Sequence, residues 1–279
     1  MPLTFKVKAF FCLVLLAMTS NARGNIAPDS VRFYGNAPSY AGMNIVFERT
    51  TNFITRESDE VVRIKIDDNG HFDQSFEVLS TDYCTSELGI YEGFIYCEPG
   101  NTYELQLPEY SPKPNSEKFN PYFVSESIEL GIKNQQSNPL NAQLRDFDET
   151  FAQLYSTYSI PIFMKADIKL AQKVVHELDS LFPNKKDLFF ENHRTAKYCR
   201  LYHLAYKRQK RTTIAILDQQ VKLDENMPAY AEVFNEVFSD FFLYYFSTPK
   251  GKKLRDTFST CTSFDTLSMV MAEDSLFAD

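Results

Sequence analysis

Hydrophobic and polar residues alternate with a period of two through the first half of this chain and with a helical period through the second. From about residue 44 to residue 107 apolar positions recur at every second place, and Gly, Asn, Asp and Pro interrupt the runs, as in strands joined by tight turns. The stretch VVRIKIDDNGHFDQSFEV, residues 61–78, is the plainest case. Val62, Ile64 and Ile66 share one face, Arg63 and Lys65 take the other, and Phe72, Phe76 and Val78 return on the apolar side. Setting Val62 opposite Phe76 and Ile66 opposite Phe72 keeps the apolar faces together. It predicts a hairpin whose loop is Asp68, Asn69 and Gly70, with Gly70 left-handed as a bulge. A calcium loop on the same residues fails, because Lys65 and Phe76 would then occupy the first and last ligand positions.

A second turn lies in GIYEGFIYCEPGNTYELQLP, residues 89–108. Pro99 has the fixed φ that a turn needs and Gly100 the freedom a type II turn requires, so the chain is expected to bend there between strands over residues 94–97 and 102–107. Glu98 is read as an exposed turn residue, not a general acid. Upstream, STDYCTSEL reads as a strand that folds back around GIYEG and places Cys84 opposite Cys97. The pair is a candidate structural disulfide, with two separate half-buried thiols as the alternative.

After the proline-rich PEYSPKPNSEKFNP the period changes. Asn138 before Pro139 has the form of a helix start, followed by Leu144, Phe147, Phe151 and Leu154 at helical spacing. Further helices are predicted over about 166–182, 187–210, 228–247 and 263–276, with caps at Asp187 and Asn226. The fold class is therefore α+β: an antiparallel β-sandwich-like domain over residues 30–112, a loop or linker over 113–137, and a helical bundle over 138–279. The stripe FNEVFSDFFLYYF, residues 234–246, is apolar on nearly all sides, and the helical pattern is still running at the last residues. Both features lead us to expect a helical domain cut short at its C-terminus, with part of the stripe covered by something else.

Composition adds a destination. The chain has 279 residues, of which 44% are hydrophobic, with no Trp but 25 Phe and 16 Tyr, so its cores are built from Phe and Tyr. A net charge of -8 argues against a general affinity for nucleic acid. Lys6 and Lys8, the apolar run of residues 9–18 and the small residues TSNA make a secretory leader over residues 1–22, with cleavage expected after Ala22. Cys12 sits inside the apolar run, which disfavours a lipoprotein anchor. Nothing later is long and apolar enough to be a transmembrane helix, so the expected destination is the periplasm or the exterior. Cys84, Cys97, Cys199 and Cys261 remain after cleavage, and none forms a Cys-x-x-Cys pair.

The search for chemistry assigns no catalytic, cofactor-binding or metal-ligating residue and no cofactor. Cys199 and His203 lie four apart on one helix face, but a metal needs three or four ligands, and His193 nearby is out of phase. YKRQKR, residues 206–211, reads as a solvated helix end. His176 in KVVHELDSLF lacks the second histidine of a zinc-protease helix and reads as a surface residue. The chain also lacks a G-x-S-x-G elbow and a glycine-rich phosphate loop.

The succession VRIKIDDNGHF, LGIYEGFIYCEPGNTYELQLP and FNPYF resembles a β-rich domain of unknown function in exported proteins of the Bacteroides group. There it precedes a helical segment and then a thioredoxin-like thiol-disulfide oxidoreductase domain. The likeness covers roughly residues 30–125 well and the helical part more loosely, and the thioredoxin domain with its Cys-x-x-Cys is missing here. The expected function is a non-catalytic binding or scaffolding module of the cell envelope. The alternative is the front portion of such an oxidoreductase without its catalytic domain. The partner is accordingly another envelope protein or that missing C-terminal domain.

Overall fold

A computed structural model gives the fold and describes residues 29–52, 55, 57–134, 139–183, 187–206, 212, 215, 227–239 and 241–274. The leader over residues 1–22, the caps at Asn138 and Asn226 and nearly all of YKRQKR lie outside the described residues. The remainder is α+β, with strands first and helices after.

Among the described residues nine strands make two sheets: β1 (Asp29–Asn36), β2 (Asn44–Asn52), β3 (Glu57–Lys65), β4 (His71–Val78), β5 (Asp82–Leu88), β6 (Tyr91–Cys97), β7 (Thr102–Gln106), β8 (Glu126–Glu129) and β9 (Gly131–Ile132). One sheet has the order β4-β1-β7-β9 and the other β3-β2-β5-β6-β8. Their inner faces meet on a core in which the Phe33 ring packs edge-on against Phe47, Phe76 and Tyr103 at centroid distances of 5.0, 4.9 and 5.8 Å. Burying each such ring contributes about 1.5–3 kcal/mol.

The expected hairpin over residues 61–78 is not formed. β3 pairs with β2, setting Ile45 beside Ile64, whereas β4 pairs with β1, setting Val31 beside Phe76. The turn between them carries the chain from one sheet to the other. Gly70 is left-handed there, with φ 88°, and its N–H donates to the Asp67 carbonyl at 3.0 Å. Ile66, Phe72, Phe76 and Val78 still enter the common core. Alternation fixes which face is buried; it does not fix which strand lies alongside.

The Glu98–Asn101 turn is also a crossing between sheets, since β6 and β7 belong to different ones. Gly100 has φ 80°, and the Asn101 N–H donates to the Glu98 carbonyl at 3.3 Å. Such excursions let strands return in the same direction as a neighbour, so the sheets are mixed: β1 with β7 and β6 with β8 run parallel. β8 and β9 arise within the stretch expected as a linker. At four and two residues they are too short to show alternation, yet they close one edge of each sheet.

The helices are α1 (Pro139–Lys165), α2 (Ile168–Leu181), α3 (Leu188–Tyr206), α4 (Pro228–Phe238), α5 (Phe241–Ser247), α6 (Lys252–Thr260) and α7 (Phe264–Ala272). Asp167 and Asp187 cap α2 and α3, their carboxylates accepting from the Leu170 and Phe190 N–H groups at 3.0 and 2.9 Å. The single helix expected over 228–247 is two, and α6 was not foreseen. Leu243 and Tyr244 on α5 are 70% and 60% exposed. Leu140, Leu144 and Phe147 of α1 join Phe190 and Leu201 of α3 in a second core, which also takes in Tyr96 from the outer face of the five-stranded sheet. Helices thus form a third layer over the β5–β6 end of that sheet.

Candidate functional site

An open cleft lies at the other side of the five-stranded sheet. The ladder between β2 and β5 consists of Phe47 with Ser86, Glu48 with Thr85 and Arg49 with Cys84. Asn44, Ile45 and Val46 pair only with β3, and Glu87 and Leu88 only with β6. The two strands are pulled apart at this end by separate anchors. On one side, Met43 and Gly42 are tied to the Gly70 corner: the Ile66 N–H donates to the Met43 carbonyl at 2.9 Å and the Gly42 N–H to the Asp67 carbonyl at 3.3 Å. On the other, left-handed Gly89 leans against Ser111, whose carbonyl accepts from the Ile90 N–H at 2.9 Å. A Cβ on Gly89 would lie 2.0 Å from the Ser111 oxygen, so only glycine permits this approach.

Between the anchors is a cleft of about 730 Å³, within the size range of small-ligand sites. Its floor reaches the core through Tyr40, Ile45 and Ser86, which are 2%, 5% and 3% exposed. The Tyr40 hydroxyl and Ser86 Oγ are buried without a hydrogen-bond partner, a state that costs roughly 1–3 kcal/mol per group. Burial pushes the Tyr40 phenol up to about 12, with Tyr110, Glu109 and Tyr91 adding to the effect. It therefore stays a neutral donor and acceptor.

The rim is charged and partly ion-paired. Arg63 pairs with Glu60 and Lys113 with Glu87, while Glu48 accepts from the Ser58 hydroxyl at 2.7 Å. Exposed pairs of this kind are worth about 0–1 kcal/mol and exchange partners at little cost. Among the described residues Ser86 has no hydrogen-bonded base, the contact that activates a serine nucleophile.

A comparison with known proteins adds nothing to this geometry. No protein-family model, curated protein or solved structure matches the chain.

Cys84 and Cys97 are free thiols, and they are not opposite one another: Cys84 faces Ile95, and Cys97 faces Asp82. The strand register differs by two residues from the one expected, because the turn over residues 89–90 is tighter than the GIYEG loop. The two are diagonal neighbours on the core face, fully buried. Burial first, then a hydrogen bond with Cys84, holds the Cys97 thiol well above its usual value. Glu98 is half-buried, not exposed: its carboxylate accepts from the Asn101 amide at 3.1 Å, and its N–H donates to the Tyr103 hydroxyl at 2.7 Å. Burial and then the charge of Asp187 raise its pKa. Gly70 anchors one wall of the cleft; Pro99 and Gly100 do not line it.

In the helices, Cys199 packs with Met227 and Val233, and His176 is exposed. His193 is almost wholly buried, with Nε2 2.8 Å from Asp148. Around it Lys197 reaches Asp148 and Glu232 at 3.7 and 2.8 Å, and Arg200 reaches Glu232 at 2.9 Å, tying α1, α3 and α4 together. Among the described residues no group of three or more His, Cys, Asp or Glu is placed to hold a metal ion, and no helix is long and apolar enough to cross a membrane.

The sequence reading passed over Tyr40, Asn44 and Ser86. One signal was available: in DYCTSEL the core-facing phase runs Asp82, Cys84, Ser86, Leu88, so two polar residues occupy buried positions. Asp82 is satisfied by Arg49 at 3.1 Å. Ser86 is the unanswered one.

Proposed function

We propose that this chain is a non-catalytic, exported binding module of the cell envelope, and that it binds its ligand in the cleft between β2 and β5. One observation carries the reading: among the described residues two that line the same open cleft, Tyr40 and Ser86, have hydroxyls buried with no partner. Buried polar groups are almost always satisfied, and those that are not mark strain or a place where something else binds. The leader supports export, and the resemblance to domains that precede thioredoxin-like modules supports an envelope setting with another envelope protein as partner.

The test uses the mature chain, secreted into an oxidising compartment, and the variant Ser86→Leu, which fills the floor. Thermal unfolding is followed against a panel of peptides, oligosaccharides and amino acids. A true ligand at a hundred times its Kd stabilises by about 2.7 kcal/mol, and only the unsubstituted protein should respond. A panel with no stabilising member, or one that stabilises both proteins alike, refutes the proposal. Recovery of a mature N-terminus at residue 23 checks export.

A further inference from the structure

Resting on the cleft being the binding site, we infer that its ligand is an extended polypeptide segment of a partner protein, inserted as a strand into the wedge between β2 and β5. Three observations point to a backbone ligand. The first is that the walls are strand edges. Asn44, Ile45 and Val46 have β3 on one side and, among the described residues, no strand on the other once the ladder to β5 ends at Phe47 and Ser86. Alternate residues of a strand aim N–H and C=O to opposite sides, so at least one of these three presents both groups to the cleft. A sugar or an amino acid would leave that edge unmatched; an added strand answers it.

The second is that the chain already does this at the neighbouring position. Ser111 lies as an isolated parallel bridge against Gly89, its carbonyl accepting from the Ile90 N–H, and the Tyr110 N–H is held by Ser39 Oγ at 3.1 Å. The far wall of the wedge thus accepts an extended backbone from a distant part of the sequence.

The third is the division of the lining across the plane of the sheet. On the core side stand Tyr40, Ile45 and Ser86; on the outer side stand Glu48, Glu87 and Lys113. Side chains of an inserted strand alternate between these two faces. One inward residue meets the floor made by Tyr40, Ile45 and Ser86, which fits a small polar side chain such as Ser, Thr or Asn. Its neighbours meet the charged side chains of Glu48, Glu87 and Lys113 and can carry charge themselves.

The experiment pans a displayed library of random heptapeptides against the mature chain and, in parallel, probes a glycan array. An enriched peptide is synthesised plain and with alternate backbone nitrogens methylated. Strand insertion predicts enrichment of a small polar residue between charged or polar ones. It also predicts at least about tenfold slower hydrogen exchange at the amides of residues 44–46 on binding, and at least about tenfold weaker affinity for the methylated peptide that loses its inward N–H groups. Ser86→Leu should weaken the plain peptide similarly. If that variant does not fold, the methylated peptide decides alone. Peptide binding without protection at residues 44–46, or indifferent to methylation, overturns strand insertion. Glycan binding with no enriched peptide overturns the peptide class and leaves the binding-module reading standing. Silence in both arms overturns both.

Discussion

Two strand edges in the five-stranded sheet meet opposite fates. The outer edge of β6 is covered without a gap: β8 pairs with it from Tyr91 to Phe94, the Leu130 N–H donates to the Phe94 carbonyl at 2.9 Å, and Asn141 takes over at Tyr96. The Asn141 amide accepts from the Tyr96 N–H and donates to the Tyr96 carbonyl, both at 2.9 Å, imitating the next strand with a side chain. Among the described residues the edge of β2 beside Asn44 to Val46 has no such cover, and the hydroxyls beneath it have no partner. Both edges present backbone groups that need partners, but Tyr96 is buried, whereas Asn44 is exposed and Val46 half-buried beside an open cleft. Where the helices dock, the protein meets the demand itself. At the cleft it leaves the edge open, the feature on which the proposed binding site rests.

The largest effect is expected from removing the cover at β6. Asn141→Ala orphans the Tyr96 N–H and carbonyl together inside the second core. Each such group costs about 1–3 kcal/mol, so urea unfolding should show a loss of about 2–4 kcal/mol. Asn141→Asp keeps the acceptor and loses the donor, and should fall no less once its charge is buried. A loss below about 0.5 kcal/mol, the level of an ordinary surface change, would mean that the helical layer does not depend on this mimicry.

Next come the corners. A Cβ at Gly70 would lie 2.6 Å from Pro38 Cα, backbone that cannot step aside, whereas at Gly100 nothing stands within 4 Å. Both are left-handed, so Gly100→Ala should cost about 1–2 kcal/mol from conformation alone. Gly70→Ala should cost more and also disturb the cleft, because the Gly70 carbonyl accepts from the Ala37 N–H at 2.7 Å, just ahead of Tyr40. Equal losses for the two variants would show that the corner is not what holds this wall.

These glycines also mark how far the sequence could be read. Asn-Gly and Pro-Gly announce a reversal and a positive φ, and alternating Val, Ile and Phe announce a buried face, because both depend on neighbours along the chain. Asp187 as a cap was legible for the same reason. Which strand lies beside β3 depends on contacts between segments far apart, and the same alternation serves a hairpin or a crossing between sheets. β8 and β9 carry too few residues to print a period. The cleft was the least legible, since it arises from a ladder that stops beside a bridge between Gly89 and Ser111, residues 22 apart in the chain. Only Ser86, polar in a buried phase between Cys84 and Leu88, left a trace.

That residue gives the prediction of opposite sign. Ser86→Ala removes a buried hydroxyl that has no partner, and the small cavity it leaves costs little. We expect stability to rise by about 1 kcal/mol, the part of the orphan's desolvation cost that is recovered, while affinity for a cleft ligand falls. A stabilised, non-binding variant is the signature of stability given up for function. A destabilised Ser86→Ala would show that the hydroxyl is satisfied and that the two edges do not differ as described.

The smallest effect belongs to the charges that bind α1 to α3 beside the covered edge. Burial pushes the Asp148 carboxyl up, but the His193 hydrogen bond and the attraction of His193, Lys197 and Arg200 outweigh it and hold the group below its ordinary value of 3.8. A depressed carboxylate stabilises the fold above the unfolded pKa, and that contribution is lost as pH falls through the folded one. Between pH 7 and pH 3 the urea midpoint should therefore drop further for the unsubstituted protein than for Asp148→Asn. The difference should stay under about 1 kcal/mol, since the carboxylate is 37% exposed and solvent screens its pairs. Parallel pH profiles would remove Asp148 from the set of interactions that secure the helical layer, leaving Asn141 and the aromatic core to hold it.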